Sequence, residues 1–104
     1  MTVPSVEELG MRERLEVVLA GRGVERKLWE CGERVEGRCC LVRLDGRWRA
    51  GVVERGGYFD RFDEVDGDIA IWEFADWVTQ TAASTQASAA ATAEWLRRHG
   101  EDRP

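Results

Sequence analysis

The hydrophobic period of this chain changes twice along its length, and that alternation limits what it can fold into. From Ser5 to about Ala20, apolar residues recur at helical spacing: Met11, Leu15, Val18 and Leu19 form one stripe, while Arg12, Glu13, Arg14 and Glu16 fill other positions. Ser5-Val6-Glu7-Glu8 has the S-x-x-E spacing in which a hydroxyl and a carboxylate satisfy the free amides of a first turn, so a helix starts near Ser5. Gly21 and Gly23 end it, and Gly10 loosens its first turn. From Lys27 to Asp63 the helical period is gone. Short apolar runs alternate there with turns at Gly32, Gly37, Asp45-Gly46 and Gly56-Gly57, the pattern of an antiparallel meander whose last strand runs from about Tyr58 to Phe62. The helical period returns after Asp66 or Asp68, either of which can cap a second helix, and Ile71, Phe74, Ala75, Val78 and Ala82 share one face of it.

With 104 residues there is room for one compact domain. The expected fold is α+β: an N-terminal helix, a three- to four-stranded antiparallel meander, and C-terminal helices packed on one sheet face. Residues 1–83 make up this domain. Residues 84–104 are rich in Ala, Ser and Thr and suit either a helix, from about Ser88 to His99, or a flexible tail. Gly100 would end such a helix, with Glu101 to Pro104 frayed. At Asp45-Gly46, a three-residue loop with Gly46 left-handed pairs Val42 with Trp48 and Cys40 with Ala50. That register gathers these four and Val52 on one face and puts Arg43, Arg47 and Arg49 on the other.

Charge and composition exclude several classes of function. A net charge of -5 repels phosphate and anionic lipid, so neither nucleic acid nor membrane is an expected partner. No run of about 18 apolar residues is present, and the start at Met1 lacks the pattern of a signal peptide, which predicts a cytoplasmic protein. Arg outnumbers Lys fourteen to one and Asn is absent, the bias of a GC-rich bacterial genome. Cys31, Cys39 and Cys40 lack the paired knuckles of zinc sites, and Cys39 and Cys40 would point to opposite faces of a strand, so reduced, metal-free thiols are expected, with Cys40 in the core. Numbering Gly67 as position 6 of a calcium loop puts acids at positions 3, 5 and 12 but Phe62 at position 1, where an oxygen ligand is required; those acids read better as a helix start. No metal, cofactor or catalytic residue is assigned.

The most distinctive stretch is residues 60–76, with seven acids against Arg61 alone, whereas residues 38–55 carry five arginines against Asp45 and Glu54. Five tryptophans exceed what so small a core can bury, so one or two should be exposed. Trp is favoured as an anchor at protein interfaces. The candidate partner-binding residues are therefore Asp60, Asp63, Glu64, Asp66, Asp68, Trp72, Glu73, Asp76 and Trp77.

The hairpin Leu41-Val42-Arg43-Leu44-Asp45-Gly46-Arg47-Trp48, followed by Phe62-Asp63 leading into a helix around Ala70, Phe74 and Val78, resembles small bacterial immunity proteins of polymorphic toxin systems over residues 8–80. The resemblance implies a non-enzymatic protein that neutralises a cognate toxin by occluding it; the Ala/Ser/Thr stretch after Gln80 departs from the short ending of that pattern. The alternative is a small ligand-binding protein or accessory enzyme with a pocket between sheet and helix, around Trp48, Tyr58 and Trp72.

Overall fold

A computed structural model describes residues 3–100; Glu101 to Pro104, expected to fray, lie outside the described residues. The helix α1 (Val6–Gly21) is followed by a 3-10 turn at Arg26–Leu28, the strands β1 (Trp29–Cys31), β2 (Cys39–Leu44), β3 (Arg47–Glu54) and β4 (Gly57–Glu64), and the helix α2 (Gly67–Gly100). The strands form one four-stranded sheet in sequence order. Its inner face carries both helices: Met11, Leu15 and Leu19 of α1 meet Ala70, Ile71, Phe74, Ala75 and Val78 of α2 over Trp29, Cys31, Cys39, Leu41, Trp48 and Ala50. The α+β class and the helical stripes follow from the periodicity. The capping box is present as well, with the Ser5 hydroxyl accepting from Glu8 N at 3.2 Å and the Glu8 carboxylate accepting from Ser5 N at 2.9 Å.

The sheet is mixed rather than a pure meander, because β1 runs parallel to β2, with Trp29 opposite Cys39 and Cys31 opposite Leu41. Gly32 and Gly37 therefore do not close a hairpin. The segment between them crosses the outer face, where the Cys40 thiol meets Val35 N at 3.3 Å, and re-enters beside the start of β1. A parallel connection this short is possible because a three-residue strand is only about 10 Å long.

The register at Asp45-Gly46 also differs from expectation. Val42 pairs with Arg49 and Arg43 with Trp48 around a two-residue turn in which Asp45 (φ 52°) and Gly46 (φ 74°) are both left-handed. Such a primed turn matches the strand twist without a bulge. The expected register assumed a single buried sheet face, but the crossing segment covers part of the outer one, so Cys40 and Val42 are buried there. Cys40 is thus outside the helix-packed core, and Arg43 is on the inner face, its guanidinium 5.2 Å from the Trp48 ring centroid.

All three thiols are free and buried. Burial pushes Cys31 up to about 12 and Cys39 up to about 11. An unfolded thiol ionises near ~8.5, so above that pH the unfolded chain binds fewer protons than the folded one. The stabilisation is full below ~8.5 and declines as pH rises toward the folded values. Denaturant titrations at pH ~8 and ~10 should show a loss on the order of 1 kcal/mol or more, reduced in Cys31→Ala. Equal pH dependence in the two proteins would contradict this origin.

The helix α2 is continuous for 34 residues, about 50 Å. It neither breaks after Gln80 nor restarts near Ser88. Among the described residues Ala82 is the last buried one on it, and beyond this neck it extends away from the body, giving overall dimensions of 59 × 31 × 21 Å.

Candidate protein-binding surface

The acidic segment is divided among five environments, the last being the groove that Glu73 lines. Glu64 and Asp66 build the start of α2: the Glu64 carboxylate accepts from Val65 N and Asp66 N, and the Asp66 carboxylate accepts from Asp68 N at 2.8 Å. Asp68, Trp72 and Asp76, one turn apart, lie toward α1, where Arg14 meets Asp68 at 3.1 Å and Arg22 meets Asp76 at 2.8 Å. The Arg22 guanidinium also sits 5.9 Å from the Trp72 ring centroid. Asp63 is engaged across the sheet by Arg47 at 2.7 Å and Arg49 at 3.7 Å. Asp60 is exposed farther along β4. These positions do not form one patch, since helix rotation separates residues that the linear charge count groups together.

Three of the nine do converge. Glu73, Asp76 and Trp77, with Gln80 of α2 and Arg61 and Phe62 of β4, line an open groove of about 370 Å³. Its floor is aromatic: Phe62 and Trp77 are half-buried against the core, and Trp77 stands edge-on to Phe74 with ring centroids 5.9 Å apart. Its rim is charged or amide-bearing. Arg61 and Phe62 are consecutive residues that would alternate faces in a regular strand; both reach this groove because β4 bulges opposite Ala50 and Gly51, with Phe62 paired to Ala50 and Asp60 to Gly51. Arg61, Phe62 and Gln80 were not predicted from the sequence, and nothing in residues 58–64 marks the bulge.

The expected ligand pocket around Trp48, Tyr58 and Trp72 is not assembled. Trp48 is buried on the inner face, Tyr58 lies beneath the Arg34 guanidinium at 4.2 Å, and Trp72 is 51% exposed on α2. A separate cavity of about 330 Å³ is lined by Glu8, Gly32, Glu33, Arg34, Val42, Arg43 and Leu44. A carboxylate hub not foreseen from the sequence lies on β1, where Glu30 meets Arg26 at 2.9 Å, Arg12 at 3.3 Å and Arg38 at 3.6 Å. Burial alone would raise Glu30, but the hydrogen bonds from Arg26 and Cys31 N and the charges of Arg26 and Arg12 outweigh it and hold the carboxyl below its ordinary value.

Among the described residues, no three His, Cys, Asp or Glu side chains come together to hold a metal ion, and no helix is long and apolar enough to cross a membrane. Comparison with known protein families, curated proteins and solved structures found no match.

Proposed function

We propose that this chain is a cytoplasmic protein-binding module, of the immunity type, that neutralises a cognate bacterial toxin by occluding it. The observation that carries this reading is the groove between β4 and α2, in which an aromatic floor of Phe62 and Trp77 is ringed by Arg61, Glu73, Asp76 and Gln80. Anchors that dominate protein interfaces have this composition, a desolvated aromatic within a polar rim that excludes water. The net charge of -5 would speed approach to a basic cleft on the partner. Asp66, Asp68 and Asp76 are poor probes of this role, because the first caps α2 and the others bind Arg14 and Arg22.

The test uses the protein encoded by the adjacent open reading frame, which this reading expects to be the toxin. Binding measured by surface plasmon resonance should weaken roughly thirtyfold in Trp77→Ala, about 2 kcal/mol, mainly through faster dissociation. Glu73→Arg should slow association. Absence of binding by the folded wild-type chain, or unchanged kinetics in both folded variants, would overturn the proposal.

A further inference from the structure

Arginines of this chain are repeatedly placed over aromatic rings. Arg22 lies 5.9 Å from the ring centroid of Trp72, Arg26 4.0 Å from Trp29, Arg34 4.2 Å from Tyr58 and Arg43 5.2 Å from Trp48. A guanidinium is planar and less strongly hydrated than an ammonium, so it gains from a π face while its edge stays free to donate hydrogen bonds. Trp77 is different. It lines the groove between β4 and α2, half-buried, and among the described residues no cation of this chain lies over it.

A carboxylate stands beside that ring. Glu73 is four residues before Trp77 on α2, hence on the same helix face, and both line the groove. Glu73 is exposed and, among the described residues, meets no arginine or lysine, although Arg61 is on the facing wall. Asp76, at the margin, is already held by Arg22 at 2.8 Å and adds little to the site's affinity for a further cation. A free carboxylate one helical turn from an indole that no cation covers is the complement of an arginine side chain. The carboxylate takes the edge of the guanidinium, the ring takes its face, and the aromatic floor takes the apolar stem. A lysine would bring the charge without the planar stack or the forked donors.

We infer that this groove is a socket for an arginine side chain of the partner, its guanidinium paired with Glu73 and stacked on Trp77. The inference rests on the partner-binding role proposed for the groove and names the chemistry that the partner presents to it. Arg61, across the groove, opposes the incoming cation and limits the affinity.

The probe is the tripeptide acetyl-Gly-Arg-Gly-amide, titrated into the isotope-labelled full chain and followed by nuclear magnetic resonance. The indole N–H signal of Trp77, assigned from Trp77→Phe, should shift saturably with the arginine peptide, less with its lysine counterpart, and not with its citrulline counterpart, which keeps the planar shape but lacks the charge. Glu73→Gln, at an exposed position, should keep its circular dichroism and bind the peptide about fivefold more weakly. Glu54→Gln changes the net charge equally but lies outside the groove, and its affinity should match wild type. Arg61→Gln should bind about twofold more tightly. No saturable shift at Trp77, equal binding of the citrulline peptide, or equal affinities of Glu73→Gln and wild type would overturn the inference. Binding of the adjacent open reading frame's product by a chain that ignores the arginine peptide would sink this inference alone; capture of the peptide by a chain that does not bind that product would remove the toxin reading and leave the socket.

Discussion

Phe74→Ala should destabilise the fold by about 3–5 kcal/mol, among the largest losses expected from a single truncation here. Phe74 is fully buried at the point where α2, α1 and β1 meet, edge-on to Trp29 with ring centroids 6.4 Å apart and to Trp77 at 5.9 Å. Removing the ring takes away its own transfer free energy and opens a cavity that the neighbouring indoles cannot fill, because Trp29 is fixed beneath Arg26, 4.0 Å from its ring centroid. A domain of this size has about 5–15 kcal/mol to lose, so the variant should be partly unfolded at room temperature. Phe74→Leu, which leaves a smaller void, keeps the measurement within range. Urea titrations should rank wild type above Leu above Ala; a loss below about 1 kcal/mol for Ala would mean that α2 is not anchored at this position.

Much of this core was legible in the sequence because it depends on local periodicity. Met11, Leu15 and Leu19 are a helical stripe wherever they pack, and Ile71, Phe74, Ala75, Val78 and Ala82 are another; all are buried. The capping box at Ser5 and the cap at Asp66 are equally local, since each satisfies backbone amides within three residues. The two errors in the sheet share a different origin. Both the direction of β1 and the register at Gly46 depend on the segment Gly32 to Arg38 crossing the outer face, where its contacts bury Cys40 and Val42. Alternation along β2 carries no record of that cover. A strand buried on both faces reads as an unbroken apolar run, and Cys39-Cys40-Leu41-Val42 is such a run.

The surface was legible only in part, for a geometric reason. Counting acids along residues 60–76 finds a charged segment, but a strand, a tight turn and a helix follow one another there and project successive acids in different directions. Glu73 and Trp77 are four residues apart on α2 and so reach the same groove, with Asp76 at its margin. The residues completing that groove come from β4, where a bulge sets the positions of Arg61 and Phe62. Bulges depend on strand pairing and twist, and composition does not specify them.

Glu8 links the local and long-range parts of this fold, and its replacement is the second large effect expected. One carboxylate oxygen accepts from Ser5 N at 2.9 Å, closing the capping box; the other accepts from Arg43 N at 2.9 Å, on the opposite side of the chain's first turn. Arg43 needs that acceptor because β1 ends at Cys31, opposite Leu41, leaving the outer edge of β2 without a strand partner from there on. Glu8 is 7% exposed, so its removal deprives two amides of their acceptor where water has little access. Glu8→Ala should therefore cost about 2–3 kcal/mol, more than a helix cap alone. Ser5→Ala, which removes the hydroxyl that accepts from Glu8 N but leaves the Arg43 bond, should cost only about 1 kcal/mol. Glu8→Gln keeps the shape but presents an amide N–H₂ to one of the two donors, and it should fall between wild type and Ala. If Glu8→Ala and Ser5→Ala lose the same stability in parallel urea titrations, the bond to Arg43 contributes nothing and α1 is held to the sheet by its apolar stripe alone.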